Sequence, residues 1–227
     1  MKFLKTPKVT EAAVRRLIRK CKHMRWAVAW ASRHFSLFDL LKKNEPKIGQ
    51  LTVGIHFYQT HPDFIEEFRR NDASRFVMNP NGVFHPKLYF FEHEGGGWDC
   101  ISGSPNFTKN AFSTNNEVAI HISDEDRGAD EARNEILSAL NAFHKLGDTI
   151  SEKQLEDYRS AWKRRERPKS TLSGVYGAEK RKKQEIPSPL EFPTFTAQWK
   201  EYFESVRNPS DGSGKGRLEV MEEARRL

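Results

Sequence analysis

From residue 10 to residue 145, short apolar runs alternate with segments of helical periodicity, and this alternation confines the chain to an α/β architecture with a mixed sheet. Thr10 precedes EAAVRRLIRKCK, in which Ala13, Val14, Leu17 and Ile18 recur at helical spacing, so a first helix capped by Thr10 is expected. The aromatic, apolar run MRWAVAWA over residues 24–31 suits a buried strand, and a short helix follows over 38–43. A strand over 51–56 leads to a helix capped by Thr60, with Pro62 in its first turn and Phe64, Ile65 and Phe68 on one face. Next come a strand over 75–78, the turn signal Asn79-Pro80-Asn81-Gly82, and a strand over 84–92. Gly95, Gly96 and Gly97 form a loose hairpin to a strand over 99–102. A last strand over 116–122 puts Val118, Ile120 and Ile122 on the core face and Glu117, Ala119 and His121 on the other. A helix over 124–145 carries the stripe Ile136, Leu137, Leu140 and Phe143.

Within this frame one strand is chemically distinctive. On extended backbone His85 and Lys87 project to the same side while Pro86 and Leu88 point away, so one strand presents a nucleophile and a cation together. Downstream lie a Gly103-Ser104-Pro105-Asn106 turn and then Asn116-Glu117. Imidazole, ammonium, hydroxyl and amide are the groups that handle a phosphate. Ser104 followed by Pro105 reads as an N-cap and first-turn pair, which would aim free amides at the same anion.

The order His85-x-Lys87, Gly103-Ser104-x-Asn106, Asn116-Glu117 resembles the phospholipase D superfamily, in particular its small nucleases and metal-independent restriction endonucleases, over residues 10–147. The resemblance implies a phospholipase D-like mixed β-sheet flanked by helices, and a site made from two His-x-Lys motifs that needs no metal or other cofactor. One His is then the nucleophile and the other the general acid. By position, His85 and Lys87 match the His-x-Lys, Ser104 and Asn106 match the hydroxyl and amide, and Glu117 matches the carboxylate that orients the histidine. The family's Asp, five residues after the Lys, is Glu92 here, with Asp99 as its substitute. None of His23, His34, His56, His61, His93, His121 or His144 is followed two residues on by lysine, so the implied site requires a homodimer in which each His85 faces its symmetry mate.

Charge sharpens the substrate. The chain has a formal net charge of +7, and residues 158–183 hold ten Lys or Arg against two Glu. That run favours polyanionic partners as a phosphate-contacting arm, or serves as a solvated linker. The expected organisation is a catalytic domain over 1–150 and a basic, helical extension over 151–227. The extension comprises a polar helix over 151–165, the basic linker, a Pro-flanked start at Pro193, a helix over 196–206, a flexible NPSDGSGKG break and a helical LEVMEEARRL end. Cys21 and Cys100 lack metal-ligand spacing and are expected as reduced thiols, without disulfide or zinc. No apolar run approaches the ~20 residues that span a bilayer, and the first residues lack the apolar core of a signal peptide, so a soluble cytoplasmic protein without membrane association is expected.

His56 and His61 flank a helix start and read as capping or packing groups rather than ligands; Trp26, Trp30 and the Phe-rich strands read as core. Trp162 and Trp199 read as packing residues, with base stacking as the alternative. The function implied is a metal-independent endonuclease acting on DNA through a phosphohistidine, as the cleavage module of a restriction or phage-defence system, with a further subunit or recognition domain as partner. The alternatives are a phospholipase-type phosphodiesterase and a non-catalytic nucleic-acid-binding module.

Overall fold

The computed structural model describes residues 1–78 and 82–176, with side chains described as far as residue 164. The strands are β1 (Lys2–Leu4), β2 (His23–Val28), β3 (Ile48–Gly54), β4 (Ser74–Val77), β5 (Lys87–Glu92), β6 (Trp98–Gly103) and β7 (Ala119–Ser123). They form one seven-stranded sheet in the order β1-β7-β6-β5-β2-β3-β4. β2, β3 and β4 run parallel, whereas β5 pairs antiparallel with both β2 and β6, and β7 pairs antiparallel with β6 and β1. The helices are α1 (Pro7–Lys20), α2 (Ser36–Lys43), α3 (Pro62–Phe68), α4 (Ala129–Lys145) and α5 (Glu152–Tyr176). The mixed sheet flanked by helices agrees with the sequence.

Both faces of the sheet are buried, which is why its strands read as nearly continuous apolar runs. Met24, Trp26 and Val28 of β2, Tyr89 and Phe91 of β5 and Ile101 of β6 face one core, shared with Leu17, Ile18, Leu37, Phe64 and Phe68 of α1–α3. Ala27, Phe90, Trp98 and Cys100 face a second core, closed by Leu140 of α4 with Ile136, Leu137 and Phe143 packed against it. Trp26 centres the first core, edge-on to Tyr89 at 5.2 Å and to Phe91 at 5.7 Å. The expected division of the last strand into core and solvent faces does not hold. Val118 precedes β7 and is exposed, while Ala119 is buried in the first core and Ile122 packs on the second.

The remaining corrections concern element ends. Thr6, not Thr10, caps α1: its hydroxyl accepts from Val9 N, and Pro7 starts the helix at a position that needs no amide donor. Thr10 lies inside the helix and donates to the Thr6 carbonyl. His61, not Thr60, caps α3 by accepting from Asp63 N at 3.1 Å. The Thr60 hydroxyl instead donates to Gly54 O at 2.6 Å and accepts from Ala31 N at 3.2 Å, tying the ends of β2 and β3 together. β5 begins at Lys87 because Pro86 has no amide to add to the ladder. α4 begins at Ala129, after a turn in which the Asp126 carboxylate accepts from Ser123 N and Gly128 takes a left-handed conformation at φ 77°. Leu155 and Tyr158 of α5 are buried in the first core, and Trp162 packs against it, its ring 4.9 Å from that of His61. Cys21 and Cys100 are buried free thiols, and burial pushes Cys100 up to about 12. The turn expected at 79–82, apart from Gly82, and the elements expected beyond residue 176, Trp199 included, lie outside the described residues.

Candidate active site

One edge of the sheet gathers the chemistry. At this edge the C-terminal ends of β2, β3, β4 and β6 lie beside the N-terminal ends of β5 and β7, since Val28 is in register with Lys87, Ser102 with Leu88 and Ala119 with Gly103. His85 therefore sits two steps before β5, Ser104 one step after β6, and Glu117 two steps before β7. Three segments far apart in sequence meet through pairing alone.

His85 is exposed and Lys87 is buried. The Lys87 ammonium lies 2.7 Å from Nδ1 and 2.9 Å from Nε2 of His85, and it donates to the His85 carbonyl at 3.2 Å. Burial first, and then the charge of Lys87, hold the His85 imidazole below its ordinary value, which favours the neutral ring with its free lone pair. Burial also lowers Lys87, against the pull of Glu117, which raises it.

Trp30 is the residue that sequence reasoning missed as part of this site. Its ring is edge-on to His85 at 4.9 Å, and the Lys87 ammonium lies 5.9 Å from its centroid, within cation–π reach. Its place two residues beyond Val28, on the face of Trp26 and Val28, is legible in the sequence; the pairing of β2 with β5 that brings it to His85 is not.

No helix starts at Ser104-Pro105, contrary to expectation. The chain after β6 runs on to a bridge between Phe107 and Ala31, held by Phe107 N to Trp30 O at 3.1 Å and Ser32 N to Phe107 O at 2.9 Å. The buried Tyr89 hydroxyl donates to Pro105 O at 2.9 Å and fixes this loop from below. Asn106 Oδ1 is buried without a partner among the described residues, a polar atom in need of a donor.

The Ser104 hydroxyl donates to the Glu117 carboxylate and accepts from Val118 N at 3.0 Å. The other Glu117 oxygen accepts from Asn115 at 3.0 Å. The orienting hydrogen bond implied from Glu117 to His85 is not among those of the described residues; the carboxylate faces Lys87 and Tyr89, both of which its charge raises. Gly103 makes the Ser104–Glu117 link possible. A Cβ there would sit 2.4 Å from Val118 O and 2.6 Å from Ala119 Cα, so only glycine lets the two strand ends come this close. Glu92, at the position of the family's Asp, and Asp99, its expected substitute, lie at the other end of the strands. Glu92 pairs with Arg25 and Arg133, and the buried Asp99 is held between His93 and His121. Among the described residues no group of three or more His, Cys, Asp or Glu side chains is placed to hold a metal ion, and no helix is long and apolar enough to cross a membrane.

Comparison with known proteins reaches the same fold. Nuc, a phospholipase D family member from Salmonella typhimurium, is 16% identical and superposes with a TM-score of 0.51 over 66% of this chain and 97% of its own. NucT from Helicobacter pylori is 15% identical, with a TM-score of 0.41 over 64% and 96% of the two chains. TrmBL2, an archaeal chromatin protein, is 8% identical, with a TM-score of 0.41 over 66% and 54%. No curated protein matches the chain. The Nuc likeness shows a phospholipase D-like sheet, and the family model for the NgoFVII restriction endonuclease N-terminal PLD domain matches residues 10–154, which contain all of the edge just described. By that match the chain belongs to the family of the NgoFVII restriction endonuclease N-terminal PLD domain.

Proposed function

We propose that this chain is a metal-independent endonuclease that cleaves DNA phosphodiesters through a phosphohistidine at a site shared by two copies, as the cleavage module of a restriction or phage-defence system. The observation that carries the reading is an exposed imidazole beside a buried ammonium that favours its neutral form, on the edge where Ser104, Asn106 and Glu117 also lie. Membership of a restriction endonuclease PLD family and the net charge of +7 support nucleic acid as the substrate.

The lone pair of the His85 ring attacks phosphorus and forms a P–N bond. The bond from phosphorus to the leaving oxygen breaks, and that oxygen takes a proton from the partner copy's imidazolium. Water then attacks phosphorus, gives its proton to that second, now neutral imidazole, and displaces the first. Charge building on the non-bridging oxygens is met by Lys87 and the Asn106 amide, which are fixed before the reaction begins. Glu117 keeps Lys87 protonated, and Ser104 holds Glu117 in place. Residues 1–150 carry this chemistry, and the basic extension over 151–227 adds affinity for the polyanion.

The test is cleavage of labelled DNA by purified protein in EDTA. Wild type is expected to cleave and to form an acid-labile covalent adduct with labelled DNA, and His85→Ala is expected to do neither while keeping the same sedimentation as a dimer. Activity that needs a divalent ion sinks the mechanism, and a monomeric active enzyme sinks the shared site. Turnover of phosphatidylcholine vesicles but not DNA selects the phospholipase alternative, and binding without cleavage selects the binding module.

A further inference from the structure

Among the described residues, the only non-glycine positions with left-handed backbone are His34 (φ 64°), Phe57 (φ 56°) and Tyr58 (φ 52°). All three lie in loops that follow β2 and β3 at the edge that holds His85. Histidine tolerates this conformation, but bulky Phe and Tyr avoid it, and for them it persists only where the surroundings over-determine it, often at ligand-contacting segments.

The surroundings here do so. Ile55 and His56 are buried, and the Tyr58 ring packs 5.3 Å from that of Tyr158, whose hydroxyl donates to Thr60 O at 2.8 Å. The Thr60 hydroxyl links Gly54 to Ala31, and His61 N donates to Ala31 O at 2.9 Å, so the two loops are laced together. Between these anchors Phe57 is turned outward and is 56% exposed. Its orientation contributes nothing to either core.

The strand order β5-β2-β3 puts the Phe57 loop two strands from His85, about 10 Å at ~4.8 Å per strand. At ~3.4 Å of rise per stacked nucleotide, that separation is about three nucleotides. We infer that Phe57, with His34 on the adjoining loop, is a stacking subsite for an unpaired nucleobase a few nucleotides from the scissile phosphate. The inference rests on the nuclease reading and adds a substrate feature to it: a strand with exposed base faces, single-stranded or locally opened. An exposed aromatic ring on the edge that also carries the exposed His34 and Lys109, whose amide donates to Ser32 on the same loop as His34, suits a base on a polyanion better than a lipid surface.

The experiment measures binding of a 20-nucleotide oligothymidylate carrying one central 2-aminopurine, and of copies with abasic sites, by the full chain and its Phe57→Ala, Phe57→Leu and Phe57→Trp variants. Phe57→Ala and Phe57→Leu are expected to weaken binding roughly 5- to 100-fold and to lose the quenching of 2-aminopurine, while Phe57→Trp keeps both. Abasic sites should weaken wild type by a similar factor and add nothing further to Phe57→Ala, because one contact cannot be lost twice. Equal binding by wild type and Phe57→Ala, or additive losses, overturns the subsite while leaving the nuclease standing. A Phe57→Ala protein that loses its dimer, or that loses only binding to phosphatidylglycerol vesicles, assigns the ring to a protein or lipid contact and equally overturns it. A wild type that neither binds nor cleaves any oligonucleotide removes the nuclease reading and the subsite together.

Discussion

The ammonium of Lys87 lies 2.7 Å from Nδ1 of His85, close enough that its charge acts on the ring's proton. Burial and then this positive charge lower the His85 value, so the neutral, nucleophilic ring persists further into acid than a free histidine would. In Lys87→Met the charge is gone and His85 should rise, moving the acid limb of the kcat/KM profile for DNA cleavage to higher pH. Loss of the donor should also lower kcat by about 10² or more, as removing one fixed transition-state donor does elsewhere. A variant whose acid limb moves down, or does not move, contradicts the coupling.

Glu117 acts in the opposite direction on Lys87, raising a group that burial lowers. Glu117→Gln should therefore let Lys87 fall further, which the Lys87 Cε chemical shift followed against pH reports directly, with kcat reduced at least about tenfold. Ser104→Ala should give a weaker version of the same shift, because Asn115 still holds one Glu117 oxygen. A Lys87 titration that does not move in Glu117→Gln would separate the carboxylate from the lysine.

The face alternation of β5 makes much of this edge legible. HPKLYFFE places His85, Lys87, Tyr89 and Phe91 on one side by period 2, and the structure finds Tyr89 and Phe91 in one core with Lys87 in line with them. The amphipathic stripes of α3 and α4 are equally readable, because a helix repeats its face locally. What cannot be read is pairing. Ser104 reaches Glu117, and Trp30 reaches His85, only because β6 lies beside β7 and β2 beside β5, and register between distant strands leaves no local signal. Thr10 and Thr60 mislead as caps for a related reason. A threonine hydroxyl caps a helix or bridges strands equally well, and the choice is made by what lies opposite.

Tyr89 is fully buried, and its hydroxyl donates to Pro105 O beneath the loop that carries Asn106. Tyr89→Phe keeps the ring but leaves that carbonyl unpaired, a loss of roughly 1–3 kcal/mol in a buried setting. Chemical denaturation should report that destabilisation. Activity should fall with kcat more than with KM, because Asn106 is then held less firmly where charge develops. Unchanged denaturation and kinetics would mean the loop is fixed from elsewhere.

Gly103 tests the closure of the edge itself. With Val118 O only 2.4 Å from where a Cβ would be, Gly103→Ala must push β6 and β7 apart, at a cost of roughly 1–3 kcal/mol as overpacking. The strand ends carry Ser104 and Glu117, so activity should drop together with the melting temperature. A Gly103→Ala protein of wild-type Tm would show that the two ends are free to separate.

Asp99 sits at the far end of the strands, buried, with one carboxylate oxygen toward His93 and the other toward His121. Burial alone would raise its value, but the two imidazoles outweigh it and bring the carboxyl down to about 2 from an ordinary 3.8. A depressed folded-state value means that the folded protein prefers the ionised form. The stabilisation is complete above the unfolded value of 3.8 and is lost as pH falls from there through about 2. A tenfold difference in proton affinity between the folded and unfolded chains is worth about 1.36 kcal/mol, so the ionised Asp99 contributes about 2 kcal/mol. Equilibrium unfolding of wild type should lose at least that amount as the solution is taken from about pH 5 to about pH 2. Asp99→Asn should be less stable at neutral pH and lose about 2 kcal/mol less than wild type across this window, the remainder coming from carboxylates such as Asp63, while still cleaving DNA at close to the wild-type rate, since the cluster touches none of the groups at the catalytic edge. An acid dependence as steep in Asp99→Asn as in wild type would place the titrating carboxylate elsewhere in the fold.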